Sequence, residues 1–432
     1  MIRGESLLSQ TRERAFLVGV VMHGMRREEV LEHVDELALL ADTAGAEVVG
    51  REIQTIRVPN SAFFIGTGKV REIAQKAEAL GADVILFDED LTPVQAKNLE
   101  KVIKRRVVDR SGLILDIFAR RARTREAQMQ VALAQLEYLL PRLTRQWTHL
   151  ERQEGVIGTR GPGETQLETD RRLITKRIEV LKRELEKISK QRKVRRDRRS
   201  HFRKVALVGY TNAGKSSLLN AFTKANVFVE DRLFATLDTT IRALPISRHE
   251  KVLLIDTVGF IRKLPHHLVA SFRSTLEETL EADLLLHVVD VSHPHFEEQM
   301  EVVHQVLKEL GIGEKPMLLV FNKIDRLEDR EMFYALRERY PEAFFVSALR
   351  GIGLQSLTDR ITHCLKQEQM EVELCIPLEN SEALKFVYAK ADVLETRYEN
   401  GMVCMKCQIH PVQLKRVKEW MVSFRSVENS AK

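Results

Sequence analysis

The sequence has few cysteines and no long apolar run. Its 432 residues include four cysteines, too few for the disulfide framework of a small secreted domain, so we expect a reducing compartment. The N-terminus shows no cleavable signal, and the apolar run at residues 15–22 is far shorter than the roughly 20 residues of a membrane-spanning helix. These absences predict a soluble, cytoplasmic protein with no membrane span, and they leave peripheral association with a membrane open.

Positive charge is concentrated in one stretch of the chain. The net charge is +6, but residues 171–199 contain 14 Lys and Arg against four Asp and Glu, so this stretch carries +10 and the remainder −4. A basic stripe of this density favours binding to a polyanion such as RNA, because phosphate contacts release counterions. A solvated helix face is the alternative interpretation.

Two segments with coiled-coil spacing flank a glycine-rich stretch, residues 155–166. Their apolar residues recur at intervals of three and four, which predicts an antiparallel helical hairpin with residues 155–166 at its tip. Pro141 is expected to kink or break the first helix. The predicted seam residues are Met129, Leu133, Leu136, Leu140, Leu143, Trp147 and Leu150 in the first helix, and Ile174, Ile178, Leu181, Leu185 and Ile188 in the second.

Residues 204–217 carry the strongest chemical signal. An apolar strand leads directly into the spacing G-x-x-x-x-G-K-S, which begins at Gly209 and is the signature of a phosphate-binding P-loop. Backbone N–H groups of such a loop surround the β-phosphate, Lys215 reaches the β- and γ-phosphates, and the Ser216 hydroxyl is a ligand for Mg²⁺. The predicted phosphate-binding residues are Gly209, Tyr210, Thr211, Asn212, Ala213, Gly214, Lys215, Ser216 and Ser217, together with Gly259.

A second strand ends in an acidic residue that is followed by a glycine. Asp256 is placed to hold Mg²⁺, and the N–H of Gly259 to sense the γ-phosphate. Between the two motifs, the segment ATLDTTIR offers Thr239 or Thr240 as a hydroxyl that closes on the metal, so its ordering and release predict a switch. The predicted switch residues are Phe234, Ala235, Thr236, Leu237, Asp238, Thr239, Thr240 and Phe260.

A third strand leads into Asn322, Lys323 and Asp325, which predict the identity of the base. A carboxylate at Asp325 accepts hydrogen bonds from the N1–H and N2 amine of guanine together. Adenine offers no such pair of donors, and the unpaired carboxylate would cost on the order of several kcal/mol. The substrate is therefore predicted to be GTP. The predicted guanine-binding residues are Asn322, Lys323, Asp325, Ser347, Ala348 and Leu349.

The remaining segments complete a multidomain α/β fold. The first 118 residues alternate strand-like and helical patterns, and residues after about 371 predict a small α+β domain in which Cys404 and Cys407 are structural rather than zinc ligands. The segment GTGKVRE near the N-terminus lacks the full spacing of a phosphate loop. The predicted domains are an N-terminal α/β subdomain at 1–118, a helical hairpin at 119–200, a P-loop GTPase domain at 203–367 and a C-terminal α+β domain at 371–432.

Three segments together resemble one family. GYTNAGKSSLLN, DTVGFIRKLPHHLVASFRSTLEE and GTRGPGETQLETDRR are similar to the HflX family of ribosome-associated GTPases, and the resemblance covers nearly the whole chain. It implies binding to the large ribosomal subunit and its rRNA near the peptidyl-transferase region, GTP hydrolysis stimulated by that subunit, and separation of stalled or idle ribosomes under stress. It also implies Thr240 as a metal ligand beside Ser216 and Asp256, and additional ATP binding in the N-terminal domain. We expect a monomer.

The hydrolysis site departs from the common GTPase pattern at Phe260. Many GTPases carry a glutamine near this position to orient the attacking water, and phenylalanine neither donates nor accepts a hydrogen bond. We therefore expect slow hydrolysis by the isolated protein and acceleration by ribosomes. Arg242 and Arg262 are candidates for stabilising charge, although a surface position is the simpler interpretation.

The glycine-rich tip differs from a phosphate loop, because it lacks both the spacing and a positioned lysine. Small residues and one guanidinium at the end of a helical arm suit a close approach to RNA, although a flexible connector is the simpler alternative. A second hypothesis for the whole chain is a signalling GTPase that acts on a protein partner without ribosome binding. The predicted RNA contacts are Gly158, Arg160, Gly161, Gly163, Arg171 and Arg172.

Overall fold

The structure is a computed structural model, and it contains three β-sheets, each with its own hydrophobic core. The predicted multidomain α/β fold is confirmed. The residues that the structure describes are 12–143, 166–197, 202–223, 230, 232–246, 251–263, 279–313, 315–327, 329–366, 370–399, 401–409, 414, 417 and 423–426.

The N-terminal domain is a parallel four-stranded sheet with strand order β2-β1-β3-β4 and helices on its faces. Helix α3 begins at a capping box, in which the Thr92 side chain accepts from the Gln95 N–H, and Pro93 follows at the first helical position. The elements are β1 (Arg14–Val21), α1 (Arg27–Thr43), β2 (Glu47–Thr55), α2 (Thr67–Ala79), β3 (Val84–Phe87), α3 (Pro93–Ile103), β4 (Arg106–Asp109) and α4 (Arg110–Arg121).

The predicted hairpin is formed by α5 (Arg125–Leu143) and α6 (Gln166–Asp197). The seam residues pack together where both helices are described, with Leu181 at 1% exposure between the two arms. Pro141 lies inside α5, so of the expected kink or break, the helix is not broken at this residue. Residues 144–165, which include Trp147, Leu150 and most of the tip segment, lie outside the described residues.

The GTPase domain has a six-stranded sheet with strand order β10-β9-β8-β5-β7-β6. All its pairings are parallel except that of β6 with β7. Because the carboxyl ends of parallel strands meet at one edge, the loops after β5, β7 and β9 are brought together there. The elements are β5 (Arg203–Val208), α7 (Lys215–Thr223), β6 (Thr240–Pro245), β7 (Lys251–Asp256), β8 (Leu284–Asp290), α8 (Phe296–Glu309), β9 (Met317–Asn322), a 3₁₀ turn (Ile324–Arg326), α9 (Arg330–Arg339), β10 (Phe344–Phe345) and α10 (Leu354–Lys366).

The C-terminal domain is an antiparallel sheet with strand order β12-β13-β11-β14. Among its cysteines, Cys375 and Cys404 form a disulfide, while Cys407 is free and buried. Cys404 and Cys407 are three residues apart in one strand and therefore point to opposite faces of the sheet. The elements are β11 (Met370–Pro377), α11 (Ser381–Lys390), β12 (Asp392–Glu399), β13 (Met402–Ile409) and β14 (Ser423–Ser426).

One hydrophobic core is shared by the N-terminal and GTPase domains. It joins Leu37 of α1 and Phe118 of α4 to Phe234 and Phe260, which belong to the two predicted switch segments. The ring of Phe118 meets the ring of Phe234 edge to face, with centroids 4.7 Å apart. The predicted switch segments are thus part of the contact between domains. Among the described helices, none has the length and apolar character needed to cross a bilayer.

Candidate GTP-binding site

The P-loop turns tightly between β5 and α7, and two of its glycines are required by their surroundings. Gly209 adopts φ +153° and Gly214 φ +89°. A β-carbon on Gly209 would clash with the carbonyl oxygen of Val288, and one on Gly214 would clash with the amide of Asn322. The loop is therefore pressed against both β8 and the predicted base-recognition segment.

Lys215, the first residue of α7, is buried against the P-loop. Its Nζ donates to the carbonyl oxygens of Gly209 at 3.1 Å and Tyr210 at 2.8 Å. Burial lowers the pKa of Lys215 to about 8, although the carboxylate of Asp256 acts in the opposite direction. The ammonium is positioned to exchange these carbonyl partners for phosphate oxygens.

Three oxygen-bearing side chains meet beside the P-loop. The Ser216 hydroxyl donates to Oδ2 of Asp256 at 2.6 Å and lies 2.7 Å from the hydroxyl of Thr236. Asp256 is fully buried, and burial raises the pKa of its carboxyl group. Its Oδ1 is buried without a hydrogen-bond partner among the described residues. This set of hard oxygen donors fits a divalent cation such as Mg²⁺.

Thr239 and Thr240, the two threonines predicted to close on the metal, do not lie where Thr236 does. Thr240 opens strand β6 and lies opposite Asp256 in the antiparallel register, with Thr239 directly before it. Thr236, which the sequence placed only among the switch residues, brings its hydroxyl to Ser216. The sequence pattern left Thr239 and Thr240 open, the family resemblance favoured Thr240, and neither pointed to Thr236 as the neighbour of Ser216.

The second switch segment lies directly against the P-loop. A β-carbon on Gly259 would come within 2.6 Å of the Thr211 Cα and 3.0 Å of Lys215 Nζ. The backbone of Phe260 accepts from the Thr211 N–H at 2.7 Å and donates to the Gly209 oxygen at 3.1 Å. The Phe260 ring is 2% exposed, so the segment presents backbone rather than a polar side chain to the phosphate region.

The base-recognition residues are held at the ends of β9 and β10. Asn322 donates to the Ala213 oxygen at 2.9 Å and accepts from the Ala348 N–H at 3.0 Å, which ties this region to the P-loop. Lys323 adopts φ +65°, and its ammonium pairs with Asp290 at 2.6 Å. Asp325 lies 3.9 Å from the guanidinium of Arg350. Ser347 is fully buried, whereas the Leu349 side chain is exposed.

A polar network joins the P-loop to the N-terminal domain. The Tyr210 hydroxyl lies 2.5 Å from a carboxylate oxygen of Glu36 and accepts from the Arg262 N–H at 2.9 Å. Burial, and then the Glu36 carboxylate, raise the pKa of Tyr210, so the phenol stays protonated. Glu36 also pairs with the buried guanidinium of Arg110 at 2.9 Å. No local sequence pattern predicts this network, because Glu36 and Tyr210 are 174 positions apart.

The same network reaches the second switch segment. Arg110 pairs with Asp88 at 2.7 Å, and Asp88 in turn accepts from Lys263 at 2.5 Å. Lys263 also contacts Glu89 at 2.5 Å. Arg262 pairs with Glu298 of its own domain at 3.0 Å and with Glu32 of α1 at 3.8 Å, which makes it an interdomain residue rather than a free surface arginine.

Of the predicted RNA contacts, two lie in the described residues. Arg171 and Arg172 occupy the exposed first turns of α6. Gly158, Arg160, Gly161 and Gly163 lie outside the described residues.

The strand order, the P-loop, the switch segments and the base-recognition residues define a P-loop GTPase. Three family models match consecutive parts of the chain: the N-terminal region of the GTP-binding GTPases at residues 31–119, their middle region at 121–199, and the 50S ribosome-binding GTPases at 204–323. Together these matches cover residues 31–323 almost without a gap.

Curated relatives identify the family. The GTPase HflX of Magnetococcus marinus is 44% identical over 95% of this chain and 95% of its own, and that of Escherichia coli is 44% identical over 94% and 95%. The chain therefore belongs to the HflX family of GTPases, as the sequence motifs indicated, and it hydrolyses GTP. A solved GTP-binding protein from Sulfolobus solfataricus in complex with GDP is 27% identical, with a TM-score of 0.43, over 82% of this chain and 99% of that chain.

Proposed function

We propose that this GTPase is a switch that binds the large ribosomal subunit through its N-terminal domain and helical hairpin, and that it separates stalled or idle ribosomes under stress. The family model matched by residues 204–323 is described as a 50S ribosome-binding GTPase, which supports a ribosomal partner. The observation that carries the proposal is the set of contacts between the switch segments and the base of the hairpin, because those contacts link the nucleotide to the RNA-binding arm.

The link runs through the segment that contains Thr236 and Asp238. Thr236 lies at the metal side of the nucleotide site, next to Ser216. Two residues later, Asp238 accepts from the N–H of Arg123 at 3.1 Å and from the N–H of Thr124 at 3.2 Å, where α5 begins. If this segment rearranges when the bound nucleotide changes, the hydrogen bonds that Asp238 accepts at the start of the first hairpin helix would change as well.

The geometry of the site supports the proposed phosphate, metal and base roles. The P-loop backbone and Lys215 bind the phosphates of GTP, and Asp325 reads guanine. Ser216, Asp256 and a switch threonine would hold Mg²⁺, which would supply positive charge to the phosphates of GTP. The contact of its hydroxyl with Ser216 supports Thr236 as that threonine, and the family resemblance supports Thr240.

The proposal also accounts for Phe260. Its buried ring cannot orient water, so we expect slow hydrolysis by the protein alone. The large subunit would accelerate hydrolysis by moving the second switch segment or by supplying a polar group. The exposed guanidiniums of α6 would contact rRNA phosphates while the tip segment approaches the peptidyl-transferase region.

Four further expectations belong to this proposal. The protein is monomeric, it is cytoplasmic and partly ribosome-associated, and peripheral contact with membranes stays open. Additional ATP binding in the N-terminal domain is an expectation from the family resemblance. The segment at residues 66–72 does not form a P-loop, since Gly66 precedes helix α2 in an extended conformation and Lys69 pairs with Glu72 in the first turn.

Co-sedimentation of the full chain with separated ribosomal subunits tests the proposal. We expect binding to large subunits that is stronger with a non-hydrolysable GTP analogue than with GDP, and GTP turnover that large subunits stimulate. Small subunits serve as the matched control for general attraction to RNA. Failure to associate with large subunits in either nucleotide state would overturn the proposal in favour of a GTPase that acts on a protein partner.

A further inference from the structure

The C-terminal sheet contains a pair of cysteines whose positions suit reversible oxidation. Cys375 of β11 and Cys404 of β13 are directly opposite in the antiparallel register and are joined by a disulfide. Both residues are partly exposed, whereas the residues on either side of them along each strand are buried. The pair therefore lies on the more exposed face of the sheet, which is the face that a small thiol can approach.

The sheet holds this arrangement whether or not the sulfur atoms are bonded. The neighbouring pairs Leu374–Met405 and Ile376–Val403 are buried in the core of the domain and fix the register of β11 against β13. Reduction would thus leave the two thiols facing each other. Reoxidation would then be an intramolecular step between groups that are already aligned.

The other two cysteines are poorly placed to form a disulfide in place of this pair. Cys407 is buried on the opposite face of β13, and burial raises the pKa of its thiol to about 12, so it stays protonated and unreactive at neutral pH. Cys364 lies on α10, in the GTPase domain. The C-x-x-C spacing of Cys404 and Cys407 is therefore misleading, because the reactive partner of Cys404 is 29 residues earlier in the chain.

We infer that Cys375 and Cys404 form a redox-responsive site that exchanges with low-molecular-weight thiols and disulfides of the glutathione class. In the oxidising direction, one cysteine thiolate attacks oxidised glutathione, forms a mixed disulfide and releases one glutathione thiolate. The second cysteine thiolate displaces the other glutathione. Two electrons pass from the protein to glutathione, and the protons of the two protein thiols end on the two glutathione thiols. The product is a covalent link between the two central strands of the C-terminal sheet.

The test uses the full chain at equilibrium with mixtures of reduced and oxidised glutathione, followed by alkylation with N-ethylmaleimide and peptide mapping by mass spectrometry. We expect the Cys375–Cys404 link to convert fully between disulfide and dithiol within that series. Cys375→Ser and Cys404→Ser should each abolish the link, and Cys364→Ser should leave its midpoint unchanged.

Three results would overturn the inference. One is a Cys375–Cys404 disulfide that persists in reduced glutathione alone, which would make it a permanent structural bond. Another is the absence of that bond in oxidised glutathione alone. The third is a Cys404–Cys407 bond in its place. Mapping of the unaltered chain distinguishes these results even where a serine variant fails to fold.

Discussion

The carboxylate of Asp238 accepts a hydrogen bond from the Thr124 hydroxyl at 2.5 Å, across a separation of 114 residues. The Thr124 hydroxyl in turn accepts from the Ala127 N–H at 3.2 Å, as an N-terminal cap of α5 does. A residue of a predicted switch segment in the GTPase domain thereby supports the first turn of the hairpin. The negative charge of Asp238 also interacts favourably with the helix dipole at this end.

Replacing Asp238 with alanine should weaken the coupling between nucleotide and hairpin. The lost hydrogen bonds and dipole interaction are worth about 1 kcal/mol, which corresponds to about fivefold in an equilibrium. We expect the preference of large-subunit binding for the GTP-analogue state over the GDP state to fall by about that factor, measured by co-sedimentation titration. Asp116→Ala, which removes an exposed carboxylate paired with Arg120 on α4, is the control. An unchanged preference would contradict the proposed link.

Nucleotide affinity should depend on pH through Lys215. Its pKa is lowered to about 8, and phosphate binding requires the ammonium form. Raising the pH from 7 to 8.5 should therefore weaken GTP binding about fourfold, as measured by fluorescence titration. The Lys215→Arg variant keeps its charge over this range, so its affinity, although lower, should not show this fall. A flat profile for the unaltered protein would argue against a buried, titrating lysine.

Lys215 should affect folding stability in the opposite direction: a rise in pH weakens nucleotide binding but increases stability. Its folded-state pKa lies below the ordinary value of 10.5, so the unfolded chain binds more protons between about pH 8 and 10.5. The contribution of Lys215 to the free energy of unfolding should accordingly rise with pH across that window in the absence of nucleotide. Urea unfolding at pH 7.5 and 9.5 measures the change in the free energy of unfolding with pH. The rise that is due to Lys215 should be present in the unaltered protein and absent in Lys215→Met.

Asp325→Asn should change the preferred base. The carboxylate accepts from two guanine donors, whereas an asparagine amide offers one acceptor and one donor, which match the N1–H and 2-oxo group of xanthine. We expect about a hundredfold loss of GDP affinity and a gain for xanthosine diphosphate, measured by competition with a fluorescent nucleotide. Asp329→Asn, at the exposed cap of α9, is a matched control outside the site. Equal loss of affinity for both bases would mean that Asp325 supports the fold and does not read the base.

The nucleotide site could be predicted from sequence because its parts are local. Gly209 directly follows an apolar strand and Asp256 and Asn322 each end one, and a parallel sheet brings such strand ends to one edge. The identity of the strands and the order of the motifs were therefore enough to predict the class of protein. The hairpin was predictable for the same reason, since its seam is a periodic pattern within each helix.

The contacts between domains could not be predicted in this way. Tyr210 and Glu36, or Asp238 and Thr124, are paired by the docking of separate folding units, and no spacing in the chain records that docking. The disulfide partner of Cys404 was hidden likewise, because strand register rather than sequence proximity sets which cysteine faces it. Motifs in the sequence were thus enough to identify the GTPase site, whereas the contacts between domains could be identified only from the structure.

The threonine that closes on the metal can be identified by comparing two variants. Thr236→Ala removes the hydroxyl that lies 2.7 Å from Ser216, whereas Thr240→Ala acts at the start of β6. If Thr236 is the ligand, its variant should need a several-fold higher Mg²⁺ concentration for half-maximal GTP turnover with ribosomes, and the Thr240 variant should not. The reverse order would support the assignment from the family resemblance and would restrict Thr236 to positioning Ser216.

Arg171 and Arg172 should contribute to affinity for RNA mainly through their charge. Each phosphate contact adds about 0.7 to 0.9 to the slope of log affinity against log salt, so replacing both residues with alanine should reduce the slope of large-subunit binding by about 1.5. The control is Arg330→Ala with Arg337→Ala, which removes the same charge from the exposed surface of α9. If the two double variants reduce the slope equally, the basic face of α6 attracts RNA only through net charge. If only the first does so, the hairpin contacts phosphates directly, which is the behaviour that docking on the ribosome requires.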